Sequence, residues 1–474
     1  MTFGVFVTAA RFEVKILFLA AEAVPYVKVG GLGDVAGALP EALRNLGHDV
    51  RLMMPRYGLL DPKKLGLYKR LDNFDVRMDW RVEQCQLWAS SKSQDYFIEN
   101  QYFFGSRFQV YGCGDEIEQF VLFCRAALEA CRLEGWQPDV IHAHDWHTAA
   151  AIRLAWAADN RPGLVFTIHN MAHQGNQRPD GWPLLGVYDG RSPMNLMEQA
   201  IWCADKVTTV SPNYAKEICT PQYGFGLDGL LRTKGTDLVG IVNGIDVASY
   251  DPSVDSKICA RYKAGEFNGK RLCKRDVLRE YGLTDEEAPL VGIVSRLDFQ
   301  KGIDLVLQSI DDIIHYSDLR VIILGSGNHA LEDGVRNAIA RHPGRVGGYI
   351  GFDPTRARKI YAGCDMFLMP SLFEPCGLSQ MIAMRYGTLP IARETGGLAD
   401  TIKDNYYGDG TGYLFRQYTC DDMLTAFGRA LEHYLYRPEL WYRTQIRAMN
   451  TDFSWNKSAK AYAELYRSAC QQKR

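Results

Sequence analysis

The sequence lacks the marks of several large protein classes. Its formal net charge is −2 and no long block of one sign occurs. Neither nucleic acid nor an anionic membrane is therefore expected as the main partner. No apolar run approaches the ~20 residues that a membrane-spanning helix requires. The opening MTFGVFVTAARFE has neither a basic start nor a long apolar stretch, so residues 1–13 are expected to form a tail before the first strand rather than a secretory leader. None of the twelve cysteines forms a CxxC pair. That fits reduced thiols in a cytoplasmic protein and gives no support to a cysteine-rich zinc site. Cofactor signatures are missing as well. Gly31, Gly33 and Gly37 miss the G-x-G-x-x-G spacing by one, the strand DVRLMMP ends on no acidic residue, and no Walker sequence occurs. A nicotinamide enzyme and a P-loop ATPase are both disfavoured.

What the chain does have is length and alternation. Its 474 residues exceed what one core usually serves, so two domains are expected. VKILFLAA (14–21), DVRLMMP (49–55), DVIHAH (139–144), LVFTIHN (164–170) and KVTTVSP (206–212) are near-continuous apolar runs, as strands buried on both faces require. PLVGIVSRLD, LRVIILGSG, RVGGYIGF, DMFLMPS and TLPIAR form a second series from residue 289, with helical patterns between them. The stretch 60–112 is less regular, and RVEQCQLWA and SRFQVYG suggest hairpin-like excursions. The expected fold is α/β: two Rossmann-like, doubly wound domains facing each other across a cleft, over 14–252 and 253–450, with 451–474 helical and crossing back to the first. Residues 252–288, rich in charge, are the expected crossing region. Ligands are expected at the carboxyl ends of the strands.

Four stretches carry candidate chemistry. In KVGGLGDV (28–35), Gly30, Gly31 and Gly33 follow a strand and open a helix, where backbone N–H groups and the helix dipole favour an anion. A tight turn that merely packs the helix is the alternative. Asp34 would repel a phosphate, so it is expected to cap the helix or meet a hydroxyl. The histidines of HAHDWHT (142–148) and IHN (168–170) lack HExxH spacing and a matching carboxylate, so a metal is not expected. They are either structural, or part of a sugar-binding surface in which His169 and Asn170 reach hydroxyls and Trp146 offers a flat apolar face. Arg296 and Lys301 of SRLDFQKG stand close to a helix start and would be satisfied by a diphosphate, with a salt bridge to Asp298 or Asp304 as the alternative. Glu374 precedes a Pro-Cys-Gly turn in SLFEPCGLSQ and is a candidate for sugar or base work. An echo links KVGGLGDV to ETGGLADT (394–401).

Taken in order, KVGGLGDV, HAHDWHT, IHN, VNGID, SRLDFQKG, FEPCGLSQ and TGGLADT resemble the motifs of the bacterial and plant glycogen/starch synthases. The resemblance runs from about residue 14 to 455. It implies retaining GT-B glucosyltransferases that move glucose from ADP-glucose to the non-reducing end of an α-1,4-glucan. On that basis Lys28, Gly30 and Gly31 lie beside the donor phosphates, with Asp34 as the motif's acidic residue. Arg296 and Lys301 neutralise the leaving diphosphate. His169 and Asn243 surround the transferred glucose, Asp145 and Trp146 line the acceptor side, and Asn170 belongs to the same sugar- and acceptor-binding group. Glu374, Cys376, Gly377 and Leu378 form the loop around the sugar. Thr395 and Gly396 lie near the phosphates, and Gly351 and Phe352 sit where an aromatic stacks on adenine. Neither a cofactor nor a metal is implied. Ile382 stands eight positions after Glu374, so the E-x₇-E pattern of sucrose synthase-like and mannosyl transferases is broken. A phosphorylase would need a longer chain, and a mere glucan-binding protein would not need Arg296, Lys301 and two glycine loops. Arg296 and Lys301 are expected to be solvated without ligand, and catalysis to require the two strand-end faces to come together.

Overall fold

Two sheets, one wholly parallel and one parallel except at one edge, organise the chain. A computed structural model describes residues 13–472 except 178, 189 and 191; of the expected tail, only residue 13 is described. Contacts divide the chain into two units. The first is Met1–Thr209, Glu217–Ile241 and Trp455–Arg474; the second is Val210–Lys216 and Val242–Ser454.

In the first unit β1 (Lys15–Leu19), β2 (Asp49–Pro55), β3 (Leu67–Met78), β4 (Arg81–Ser90), β5 (Asp95–Glu99), β6 (Val140–His144) and β7 (Gly163–Ile168) precede a two-stranded ribbon, β8 (Asn176–Gln177) with β9 (Met194–Asn195). The strands β10 (Lys206–Thr209) and β11 (Leu238–Gly240) complete the sheet, in the order β11-β10-β7-β6-β1-β2-β5-β4-β3. Every residue of β6 and β7 is buried, which is why both read as near-continuous apolar runs. The hairpin excursion is real at RVEQCQLWA, which is β4, antiparallel to β3 and β5. Near the end of β3, Phe74, Val76 and Met78 are buried while Asp75 and Arg77 are exposed, as a strand with one wet face requires. SRFQVYG (106–112) is not a strand. Its Arg107 binds both oxygens of Asp115, at 2.7 and 2.6 Å, and Gln119 at 2.8 Å, tying the segment to the start of the helix Glu116–Leu133 instead of to a strand partner.

The second unit has β12 (Leu290–Val294), β13 (Arg320–Gly325), β14 (Val346–Ile350), β15 (Met366–Met369), β16 (Leu389–Arg393) and β17 (Tyr413–Phe415) in the order β14-β13-β12-β15-β16-β17, all parallel. Its core packs Val291, Ile293, Val321, Ile323 and Leu368 against Ile303, Val306 and Ile310 of the helix Ile303–Tyr316. Residues 252–288 belong wholly to this unit. Arg358 meets Asp255 at 3.1 Å and anchors the segment to one of the unit's own helices, and Arg385 meets Asp251, just before it, at 2.9 Å. The chain ends in the helices Pro438–Asn450 and Trp455–Gln471, joined by a turn at DFSWN, and the last helix packs in the first unit. No described helix is long and apolar enough to cross a membrane.

Candidate active site

In the second unit, three loops at the carboxyl ends of β12, β15 and β16 are bonded into one structure. After β12 the chain makes a single turn, Phe299–Lys301, capped by Asp298, whose carboxylate accepts from the Lys301 N–H at 2.9 Å. Gly302 then has φ 71°, and a Cβ there would stand 2.1 Å from the Pro370 carbonyl. The turn is thus pressed onto the loop after β15, and the Leu372 N–H donates to the Gln300 carbonyl at 2.8 Å. That approach aims the Lys301 ammonium at Glu374: Nζ lies 2.6 Å from Oε2, which also accepts from the Ser371 hydroxyl at 3.1 Å. Their side chains are 17% and 7% exposed, so Lys301 is not solvated as the sequence suggested. Its partner is Glu374, neither Asp298 nor Asp304. A pocket lined by Ser295, Lys301, Ser371, Glu374, Gly377 and Leu378, among others, closes around the pair. The Gly397 N–H donates to the carbonyls of Glu374 and Pro375, at 3.0 and 3.1 Å, and so fixes the third loop, with Thr395 and Gly396, to the same turn.

Arg296 keeps the solvated character expected of it. It is 63% exposed and pairs with Asp298 at 2.8 Å. Phe352, 80% exposed, follows Gly351 at the end of β14 as an open ring face. Asn243 is buried against Cys376, whose thiol burial pushes up to about 12, and the Asn243 Oδ1 has no bonding partner among the described residues. A thiol so reluctant to ionise is no nucleophile.

In the first unit the glycine loop already holds an anion. The carboxylate of Glu22, 2% exposed, accepts from the N–H groups of Val29 and of Gly30, the latter at 3.0 Å, and from the Tyr111 hydroxyl at 3.4 Å. Glu22 was not singled out from sequence. The signal available was an acid placed directly after the apolar run ILFLAA, in which the first strand ends. Burial raises its carboxyl above the usual range, against the pull of those amides. Asp34 does not cap the helix Gly31–Asn45, whose cap position is Gly30. Instead it pairs with Lys28 at 2.7 Å, and burial raises its carboxyl too.

At the end of β6, Asp145 sits at φ 56°, in the left-handed region that Asp tolerates better than most residues. That twist turns its carboxylate onto the end of β7, where it accepts from the N–H of His169 at 2.7 Å and of Asn170 at 3.4 Å. The Asn170 side chain accepts from the Ala172 N–H at 2.9 Å. Trp146 corrects an expectation. It is 7% exposed, with its ring 4.1 Å from that of His147 and 5.5 Å from that of Phe120, so it offers no open flat face. No group of three or more His, Cys, Asp or Glu among the described residues is arranged to hold a metal ion.

Burial pushes the Asp145 carboxyl up to about 7, with the two amides pulling it down and the charge of Glu22 adding to the rise. Between about pH 4 and 7 the folded chain keeps a proton that the unfolded chain has released, so this group's contribution to stability falls as pH rises. Asp145→Asn removes the titration. Denaturation midpoints should shift in favour of the variant between about pH 5 and pH 7.5. A variant-minus-wild-type difference independent of pH would contradict the assignment.

A family model for the starch synthase catalytic domain matches residues 15–233, and one for glycosyl transferases group 1 matches residues 274–444. Glycogen synthase of Anaeromyxobacter sp. (strain Fw109-5) is 44% identical over 476 residues, which cover 96% of this chain and 99% of that protein. The chain belongs to the glycogen and starch synthase family. Glycogen synthase of Geobacillus thermodenitrificans (strain NG80-2) is 42% identical, with 95% of this chain and 97% of that protein covered. Among solved structures, the catalytic domain of starch synthase IV from Arabidopsis thaliana, bound to ADP and acarbose, aligns with a TM-score of 0.90 at 32% identity, covering 97% of this chain and 100% of that one. Sucrose-phosphate synthase from Thermosynechococcus elongatus, at 18% identity and a TM-score of 0.63, shares the fold alone. The two sheets are the paired α/β domains of a GT-B glycosyltransferase, and the pocket around Lys301 and Glu374 lies at strand ends, where such folds place their ligands.

Proposed function

We propose that this chain transfers glucose from ADP-glucose to the non-reducing 4-hydroxyl of an α-1,4-glucan, with retention of configuration. The observation that carries this reading is the Lys301–Glu374 pair, held by three loops at the strand ends of a chain from this family. A departing nucleoside diphosphate spreads negative charge over its oxygens. Preorganised cations stabilise that charge without reorganising as it develops. Lys301 supplies one fixed ammonium, and Glu374 keeps it aimed. Arg296, exposed and free to swing from Asp298, supplies a planar guanidinium that can bind a phosphate through two N–H groups. Phe352 offers its open face to the adenine. The bond from glucose C1 to the diphosphate oxygen breaks, and the glucan 4-hydroxyl oxygen bonds to C1 from the same side. Its proton passes to the departing phosphate oxygen. Glu374 is committed to Lys301 and Ser371, which fits this route better than a carboxylate nucleophile.

In the first unit, Lys28, Gly30 and Gly31 are assigned to the donor phosphates, and Asp34 and His169 to the sugar. In the second, Asn243, Cys376, Gly377 and Leu378 are assigned to the sugar's surroundings, and Thr395 and Gly396 to the phosphates. Neither metal nor cofactor is part of the reading, so full activity is expected after exhaustive chelation. The cytoplasm is the assigned compartment, supported by twelve thiols with no disulfide among them. The test of the donor compares ADP-glucose with UDP-glucose on one maltooligosaccharide. Faster chain extension from ADP-glucose supports the reading, and a clear preference for UDP-glucose overturns it.

Arg296→Ala should lower turnover by about 10²-fold, as loss of one charge at a developing anion typically does. Because the side chain is 63% exposed, the thermal midpoint should not move. Wild-type turnover would remove Arg296 from the phosphate site.

A further inference from the structure

Three imidazoles line up inside the first unit, and the function proposed above uses only the last of them. The rings of His142 and His144 lie 4.0 Å apart, and His144 Nδ1 is 2.9 Å from His169 Nε2. One end of the row is tied down through both ring nitrogens. His142 Nδ1 bonds the hydroxyl of Tyr466, on the final helix, at 2.8 Å, and its Nε2 bonds the Thr167 hydroxyl at 2.6 Å. Phe18 covers His144, with ring centroids 4.2 Å apart. Burial holds all three imidazoles neutral, with His169 pushed down to about 3, so each ring carries one proton on one of its two nitrogens.

The bond between His144 and His169 admits two arrangements, and burial separates them. If His169 Nε2 donates, His144 Nδ1 must accept, and the His144 proton then sits on Nε2. That atom is buried with no bonding partner. An orphaned buried N–H is the rarer and costlier defect, since it forfeits its hydration and gains nothing. If His144 Nδ1 donates instead, its Nε2 is a bare lone pair beneath the Phe18 ring, and His169 Nε2 becomes the acceptor. The His169 proton is then on Nδ1, the nitrogen left for a ligand or water at this half-buried residue.

We propose that His144 is a positioning residue that holds His169 in its Nδ1–H tautomer, so that His169 meets the transferred sugar as a hydrogen-bond donor to a hydroxyl oxygen. The sugar in this statement rests on the function proposed above, whereas the tautomer does not. The ring stack and the Tyr466–His142 bond make the row rigid from the last helix to the strand end. The site therefore need not reorganise to present that donor.

Two-bond ¹H–¹⁵N spectra of the full chain labelled with ¹⁵N-histidine read the tautomer directly, with His169 assigned by loss of its signals in His169→Gln. The wild type should show a protonated Nδ1 and an unprotonated Nε2. His144→Leu, similar in bulk but with no donor, should give a mixed or reversed tautomer and lower kcat by about 10- to 100-fold, with a smaller change in KM. His144→Asn places an amide N–H near the position of the imidazole Nδ1. It should restore the tautomer and recover most of the turnover lost in the leucine variant. A wild-type His169 protonated at Nε2 overturns the proposal, as does a leucine variant with unchanged tautomer and turnover. Should the leucine variant fail to fold, the wild-type and asparagine spectra still decide. If the tautomer is as stated but no nucleotide sugar is turned over, the proposed function falls and the positioning role stands.

Discussion

Lys301→Ala should lower turnover by about 10²–10³-fold, equivalent to about 3–4 kcal/mol of transition-state stabilisation. The ammonium it removes is held by a carboxylate that is itself 7% exposed, which gives the substitution a second consequence. Taking one partner from a buried ion pair leaves the other charged and unpaired, at a cost of about 3–5 kcal/mol in stability. The variant should therefore unfold at lower denaturant as well as turn over slowly. Lys301→Ala combined with Glu374→Gln separates the two effects. The neutral amide should recover much of the stability and none of the turnover. Denaturant midpoints and single-turnover rates of the wild type and the two variants measure this. Near-wild-type turnover in the single variant would remove Lys301 from the diphosphate site, and unchanged stability would contradict a buried pair.

Gly396→Ala should abolish most activity through backbone geometry rather than charge. Gly396 has φ 44°, and a Cβ there would stand 1.9 Å from the Glu374 carbonyl oxygen and 2.8 Å from its carbon. Neither backbone can yield without moving the Gly397 N–H, which bonds the carbonyls of Glu374 and Pro375. The added methyl displaces the Glu374 backbone, and with it the carboxylate paired with Lys301. A misplacement of about 1 Å at a reacting centre can cost about 10²-fold, which is the loss expected in turnover. Gly428→Ala, in the helix Cys420–Tyr436 with open space around the new methyl, is the control and should leave turnover unchanged. An alanine at 396 with wild-type turnover would show that the third loop is not coupled to the pair.

Much of this architecture is legible in the sequence because parallel strands buried on both faces must be apolar throughout. DVRLMMP is β2 residue for residue, and both series of runs became parallel sheets. SRFQVYG misled because its alternation is that of a strand, while Arg107 binds Asp115 and Gln119, 8 and 12 residues further on. The site was legible where chemistry follows directly from residue type beside a helix start, as for Lys301, Glu374 and the glycine loops. Partners were not legible. No local pattern tells Lys301 to choose Glu374, 73 positions away, over Asp298. Nor does one assign Glu22 to the amides of Val29 and Gly30, since that needs the loop to fold back on the strand it left. Trp146 looked like a sugar platform because a tryptophan beside histidines suits one, but the helix Trp146–Trp156 turns it inward against Phe120 and His147.

The central claim is that glucose moves from ADP-glucose to the end of an α-1,4-glucan with its anomeric configuration kept. Proton NMR of a running reaction, with ADP-glucose and a short maltooligosaccharide, tests it most directly. One new α-1,4 anomeric signal should appear for each ADP released, with no free glucose accumulating. A β-anomeric product, or ADP released together with free glucose and no chain extension, would contradict it.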